Sequence, residues 1–269
     1  LVHRRNLRRS GRINNLPMKK LIALIASLLL TFSATAGDIT VTHDNTFGTL
    51  ATQQTQKVES VRSLWDYIVL DNGLQGTQAV IKLKIQPAHL GASGPLATTT
   101  TTQYAYNSRG KLVANGERTI PIKLNMDAGL ANWNIHYFSC VVFHEMGHAL
   151  GMDTATFMVN GYVGGTFTAP DNHYVGPALA VYQMERDPLA PFIPTDFGHL
   201  QEALPTDWWY NEVMTTGLSY SQYPLTFVSL TTIKMIEDNG WAVNPNFQGG
   251  LLIDLIPSRR LRDEDPIAP

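Results

Sequence analysis

The chain is 269 residues long, 44% hydrophobic and 16% charged, with 20 Lys and Arg against 22 Asp and Glu. A chain of this size can support a sizeable core in one domain, or two subdomains around a cleft. All seven basic residues of the first 36 stand there without an acidic one, so residues 37–269 keep 13 basic against 22 acidic side chains, a balance of −9 that argues against a nucleic-acid partner.

Residues 1–17 carry five Arg ahead of the first methionine and are expected to be translated upstream sequence, with Met18 the true start. Met18-Lys19-Lys20, the apolar run Leu21 to Phe32 and the small-residue site Ala34-Thr35-Ala36 read as a secretory signal peptide over 18–36. The expected product begins at Gly37 and is secreted or periplasmic. The apolar run is too short to span a bilayer, so no membrane span is expected in the mature chain.

Thr52 to Leu70 has the spacing of an amphipathic helix with Val58, Val61, Leu64, Trp65 and Ile68 inward, ended by Asp71-Asn72-Gly73. Ala79 to Ile85 alternates as a strand before Pro87, and Arg118 to Met126 alternates with Ile120, Ile122 and Leu124 on one side. Between them, Leu96 to Tyr106 contains five consecutive threonines and reads as an exposed edge strand or a loop. Asn134 is placed to cap the next helix. Residues 152–198 are rich in Gly and Pro and are expected to be loop with short strands, one of them Ala178 to Tyr182. A helix with Phe227, Leu230, Ile233 and Ile236 inward is expected over Thr226 to Asn239, stopped by Gly240, its role packing alone. The tail 244–269 has one apolar stretch, Leu251 to Ile256, and no recognisable module.

The chemistry lies in Val141-Val142-Phe143-His144-Glu145-Met146-Gly147-His148-Ala149-Leu150-Gly151-Met152. Positions i and i+4 share a helix face, so His144 and His148 can offer two imidazoles to one cation. Glu145, one step round, can reach a water on that cation without binding the metal, as a general base does. The flanks Ile135, Phe138, Val141, Val142, Ala149, Leu150 and Met152 make the helix apolar and therefore buried. Three ionisable side chains on a buried helix need a partner that offsets their desolvation, and a divalent cation is one. Gly151 is suited to ending the helix in a left-handed turn. Cys140, the only cysteine, precedes His144 by one turn and reads as a core thiol.

Catalytic zinc takes three protein ligands and a water, so a third donor must come from downstream. Thr154 stands where a short HExxHxxGxxH motif would place a histidine. The remaining donors are His173, His199 and the carboxylates Asp153, Asp171, Glu185, Asp187, Asp196, Glu202 and Glu212. His173, beside the turn-forming Pro170-Asp171-Asn172, reads as a surface-loop histidine. The segment from Gly165 to Tyr174 is similar to the GTxxDxxYG motif of aspartate-liganded zinc proteases, but its spacing departs by two residues.

Asp196-Phe197-Gly198-His199-Leu200, then Asn211-Glu212-Val213-Met214-Thr215, then a helix ending Glu237-Asp238-Asn239-Gly240-Trp241, resembles leishmanolysin-like metzincins from about Ile120 to about Val243. The resemblance implies one zinc ion held by His144, His148 and His199, with Glu145 as base and Met214 in a turn beneath the metal. It implies an α+β fold: an N-terminal twisted sheet with the active-site helix over 37–151, an insertion over 152–198, and a smaller, mostly irregular and helical C-terminal subdomain over 199–243 across a cleft. The implied activity is that of a secreted zinc endopeptidase acting on a protein or peptide substrate. A zinc-site binding module without turnover, or a zinc hydrolase of non-peptide amides, are the alternatives. Tyr220 is a conceivable further donor to a reaction intermediate, though an ordinary core or surface role suits it better. The chain departs from leishmanolysin itself in having a single Cys, a 47-residue insertion and no visible large propeptide.

Overall fold

A computed structural model describes residues 39–256, apart from 72, 75–80, 101–103, 116–118, 165–172, 197, 202–207 and 216–224. The upstream extension, the signal peptide, Gly37, Asp171, Glu202 and Tyr220 lie outside the described residues. All described residues belong to one unit, and the fold is α+β.

Its first half contains β1 (Ile39–His43), α1 (Thr52–Ile68), β2 (Val69–Asp71), β3 (Ile81–Ala88), β4 (Ala97–Thr99), the hairpin β5 (Tyr104–Tyr106) and β6 (Leu112–Ala114), and β7 (Ile120–Asn125). The main sheet runs β1-β3-β7-β4, with β1, β3 and β7 parallel and β4 antiparallel at the edge. Period-two patterning places Ile81, Leu83 and Ile85 beside Ile120, Ile122 and Leu124 on the buried face. The stretch Leu96 to Tyr106 thus supplies the edge strand and the start of a hairpin.

Two boundaries differ from the sequence expectation, each for a local reason. α1 buries the expected Val58, Val61, Leu64, Trp65 and Ile68, but it stops at Ile68. The next residues leave the helix to pair with Ala242 and Val243. β3 continues through Pro87, because β1 reaches only to His43, opposite Ile85. Alternation puts the Pro87 nitrogen on the same side as Ile85, beyond the end of β1, so its missing N–H breaks no ladder bond.

The central helix α2 (Ile135–Ala149) is capped by Asn134, whose Oδ1 accepts from His136 N at 2.9 Å. It packs against α1, β4 and β7. Trp65 of α1 donates from Nε1 to the Phe143 carbonyl at 3.2 Å and stacks on the Phe143 ring, centroids 4.3 Å apart. Cys140 is a buried core thiol, pushed up to about 11 by burial.

After α2 come α3 (Thr154–Val159), β8 (Val163–Gly164), β9 (His173–Tyr174), α4 (Leu179–Glu185), β10 (Ile193–Asp196) and β11 (His199–Leu200). The strands form an antiparallel sheet, β11-β10-β9-β8. The strand expected over Ala178 to Tyr182 is instead the start of α4. Ala178 and Tyr182, four apart, are both buried, while Ala180 between them is exposed. Helical burial overrides the β-propensity of Val181 and Tyr182.

The chain ends its described part with β12 (Phe227–Val228), α5 (Leu230–Asp238), β13 (Ala242–Val243), β14 (Gly250–Leu251) and α6 (Leu252–Leu255). α5 starts four residues later than expected. Ser229 caps it through Oγ, which accepts from Thr232 N at 3.0 Å, and Phe227 and Val228 are held extended against β14. The end of α5 also does more than pack. Asn239 Nδ2 donates to the Gly151 carbonyl and Trp241 Nε1 to the Leu150 carbonyl, each at 2.8 Å. Both carbonyls lie just past the C-terminal end of α2, and that of Gly151 also accepts from Asp153 N at 2.8 Å. Among the described residues no helix is long and apolar enough to cross a membrane.

Replacing Trp241 by Phe removes the indole donor and also leaves a smaller ring in a buried site. The Leu150 carbonyl then loses that partner in a buried setting, which is expected to cost about 1–3 kcal/mol. Urea unfolding measures it, and an unchanged midpoint would show that the bond contributes nothing.

Candidate metal centre

Helical spacing alone puts His144 and His148 on one face of α2, and β11 brings His199 to them. Gly198, at φ +87°, makes the approach possible: a Cβ there would lie 2.6 Å from Asp153 Cα. Gly151, at φ +101°, turns the chain out of α2 as its position suggests.

The three Nε2 atoms converge. His148 lies 3.0 Å from His144 and 3.0 Å from His199, and His144 lies 3.2 Å from His199. Each opposite nitrogen faces a main-chain carbonyl: His144 Nδ1 to Val213 O at 2.7 Å, His148 Nδ1 to Met152 O at 2.5 Å, and His199 Nδ1 to Asp196 O at 3.1 Å. A carbonyl only accepts, so each Nδ1 carries the proton. A neutral imidazole has one such proton, which leaves three Nε2 lone pairs pointing at a common point. Burial holds the His144 imidazole down at about 3, His148 well below its usual range, and His199 below it. All three rings are therefore kept neutral, as ligands must be.

Three lone pairs at this separation repel unless a cation lies among them. The centre of the triangle is about 1.8 Å from each nitrogen, inside the roughly 2.0–2.1 Å reach of a zinc–imidazole bond, so one ion can contact all three. Among the described residues these are the only three His, Cys, Asp or Glu side chains that converge in this way.

Of the competing donors that are described, none joins the three histidines, and most are engaged elsewhere. His173 lies in β9, its ring against Phe192 at 4.3 Å between centroids. Asp153 caps α3 by accepting from Thr156 N at 2.8 Å, and Thr154 opens that helix. Glu185 accepts from Leu230 N at 2.9 Å and Thr231 N at 2.8 Å, at the start of α5. Asp187 accepts from Leu189 N at 3.0 Å in a turn. Asp196 reaches His199 through its main-chain oxygen, while its Oδ1 is buried without a hydrogen-bond partner and does not join the three imidazoles. Glu212 is fully buried among hydrogen-bond donors, and burial pushes its carboxyl up to about 7.

Glu145 is buried on α2, and its Oε2 accepts from the Thr99 hydroxyl of β4 at 2.7 Å. Burial pushes this carboxyl up to about 7, with the Thr99 bond opposing. A carboxyl in that range can both take and give a proton near neutral pH. Nothing in five consecutive threonines singles out Thr99; only its edge-strand position opposite α2 does. Met214 is fully buried against Gly147, and a Cβ on Gly147 would lie 2.8 Å from Met214 Sδ. The methionine thus occupies the notch that glycine leaves just before His148.

Comparison with protein-family models and with curated proteins gives no match.

Gly147→Ala places a methyl in the space Met214 fills, so the buried thioether must shift. The expected loss is about 1–3 kcal/mol of stability, read by thermal or urea unfolding. A variant as stable as wild type would mean that Met214 repacks freely.

Proposed function

We propose that the chain is a zinc-dependent endopeptidase of metzincin type. One observation carries the reading: three buried imidazoles, each with Nδ1 committed to a carbonyl, aim unprotonated Nε2 atoms at one point. His144, His148 and His199 would hold zinc there, which when bound would supply Lewis acidity towards a water and a substrate carbonyl. Glu145, next to His144 and held at Oε2 by Thr99, accepts the proton of the attacking water and returns it to the leaving amine. A peptide substrate is favoured by the edge position of β4. Among the described residues β4 ends its sheet and its Thr99 contacts Glu145, so extended backbone added along that edge would run near α2. The packing of Met214 on Gly147 and the contacts of Asn239 and Trp241 with the end of α2 are consistent with the same family reading.

Purified protein is expected to digest an unstructured protein such as casein, to stop on chelation, and to recover with zinc. Glu145→Gln should lower cleavage by about 10²-fold or more while bound zinc stays at the wild-type level. Zinc binding without any proteolysis would favour a binding module or a hydrolase of non-peptide amides.

His199→Ala should lose zinc on dialysis, and His173→Ala should keep it. The reverse pattern, read by metal analysis of the two variants, would reassign the third ligand.

A further inference from the structure

Glu212 is fully buried, touches no cation among the described residues, and has no part in the chemistry described above. Its Oε2 accepts from Met214 N at 2.5 Å. Its Oε1 accepts from Ser229 N at 3.2 Å, Ser229 Oγ at 2.9 Å and Thr232 Oγ1 at 2.6 Å. One oxygen therefore shapes the turn 212–214, and the other ties that turn to the first turn of α5. Every neighbour donates, so the site calls for a group that accepts at both ends, which is a carboxylate rather than an amide.

The turn it holds supports two of the three histidines. The Val213 carbonyl accepts from His144 Nδ1 at 2.7 Å. The Met214 carbonyl accepts from Leu200 N at 2.9 Å, and Leu200 follows His199 directly. The Met214 side chain fills the notch at Gly147, between the two histidines of α2. A shift of this turn moves the partner that orients His144, the strand that carries His199 and the packing beneath α2 together.

We propose that Glu212 is a positioning residue of the metal centre: from outside it, and through Val213 and Met214, it fixes the orientation of His144 and the approach of His199, and so sets metal affinity. This rests on the reading that the three histidines hold a metal.

Glu185 provides a matched comparison. It also accepts at the start of α5, from Leu230 N, Thr231 N and Thr231 Oγ1, but it makes no hydrogen bond to the 212–214 turn. Glu212→Gln and Glu185→Gln are each to be measured for zinc affinity by chelator competition, for the visible absorption of the cobalt-substituted protein, and for melting temperature without metal. Glu212→Gln is expected to weaken zinc binding by about tenfold or more and to alter the cobalt bands. Glu185→Gln should lower the melting temperature while leaving affinity and bands at wild type. Should Glu212→Gln fail to fold, Thr232→Val removes the 2.6 Å contact alone and is read by the same criteria. Wild-type affinity and bands in the Glu212 or Thr232 variant, or equal weakening in Glu185→Gln, overturn the positioning role. A wild-type chain that binds no zinc overturns the metal reading, and the positioning role falls with it.

Discussion

The geometry of the centre rests on three bonds of one kind: an imidazole Nδ1–H donating to a main-chain carbonyl. Together they determine the tautomer of His144, His148 and His199, and hence which nitrogen of each ring is left with a lone pair. The carbonyls come from three separate places: the turn after α2, the β10–β11 turn, and the 212–214 turn. Most of what surrounds α2 can be understood as holding those turns in register with the helix. Bringing three neutral acceptors together costs free energy without a cation, so the supporting structure must be stable in its own right.

That support meets α2 along its length. Trp65 grips the middle of the helix through the Phe143 carbonyl and ring. Asn239 and Trp241 take up carbonyls at its C-terminal end. β4 lies alongside and engages Glu145 through Thr99. Residues from both halves of the sequence are thus bonded to one fifteen-residue helix, and β13 pairing with β2 closes the same connection at the far end of α1.

How much of this could be read from sequence depends on the distance over which each signal acts. His144, Glu145 and His148 are set by helical periodicity within five residues, and Ile120, Ile122 and Leu124 by strand alternation. His199 followed from resemblance alone, because 51 residues separate it from His148. Thr99 and Glu212 gave no local signal. A threonine among five and a glutamate among seven candidate downstream carboxylates differ from their neighbours only in what the fold brings opposite them. The misread stretches have the same origin. Val181 and Tyr182 favour a strand, yet Ala178 and Tyr182 are buried at helical spacing. Phe227 fits the apolar period of α5, yet Ser229 caps the helix behind it and β14 pairs with what comes before.

The use of backbone carbonyls to orient the histidines has a consequence for how this site can vary. In many metal centres the orienting partner is a carboxylate or amide side chain, and replacing that residue removes the partner. Here every amino acid at positions 152, 196 and 213 carries the required oxygen. The identities of Met152, Asp196 and Val213 are therefore free to drift as far as packing permits, while the path of the chain through those positions is not. Substitutions can accumulate next to the three histidines with little effect, whereas an insertion or deletion of one residue in any of these three segments would displace a carbonyl and misdirect a ring.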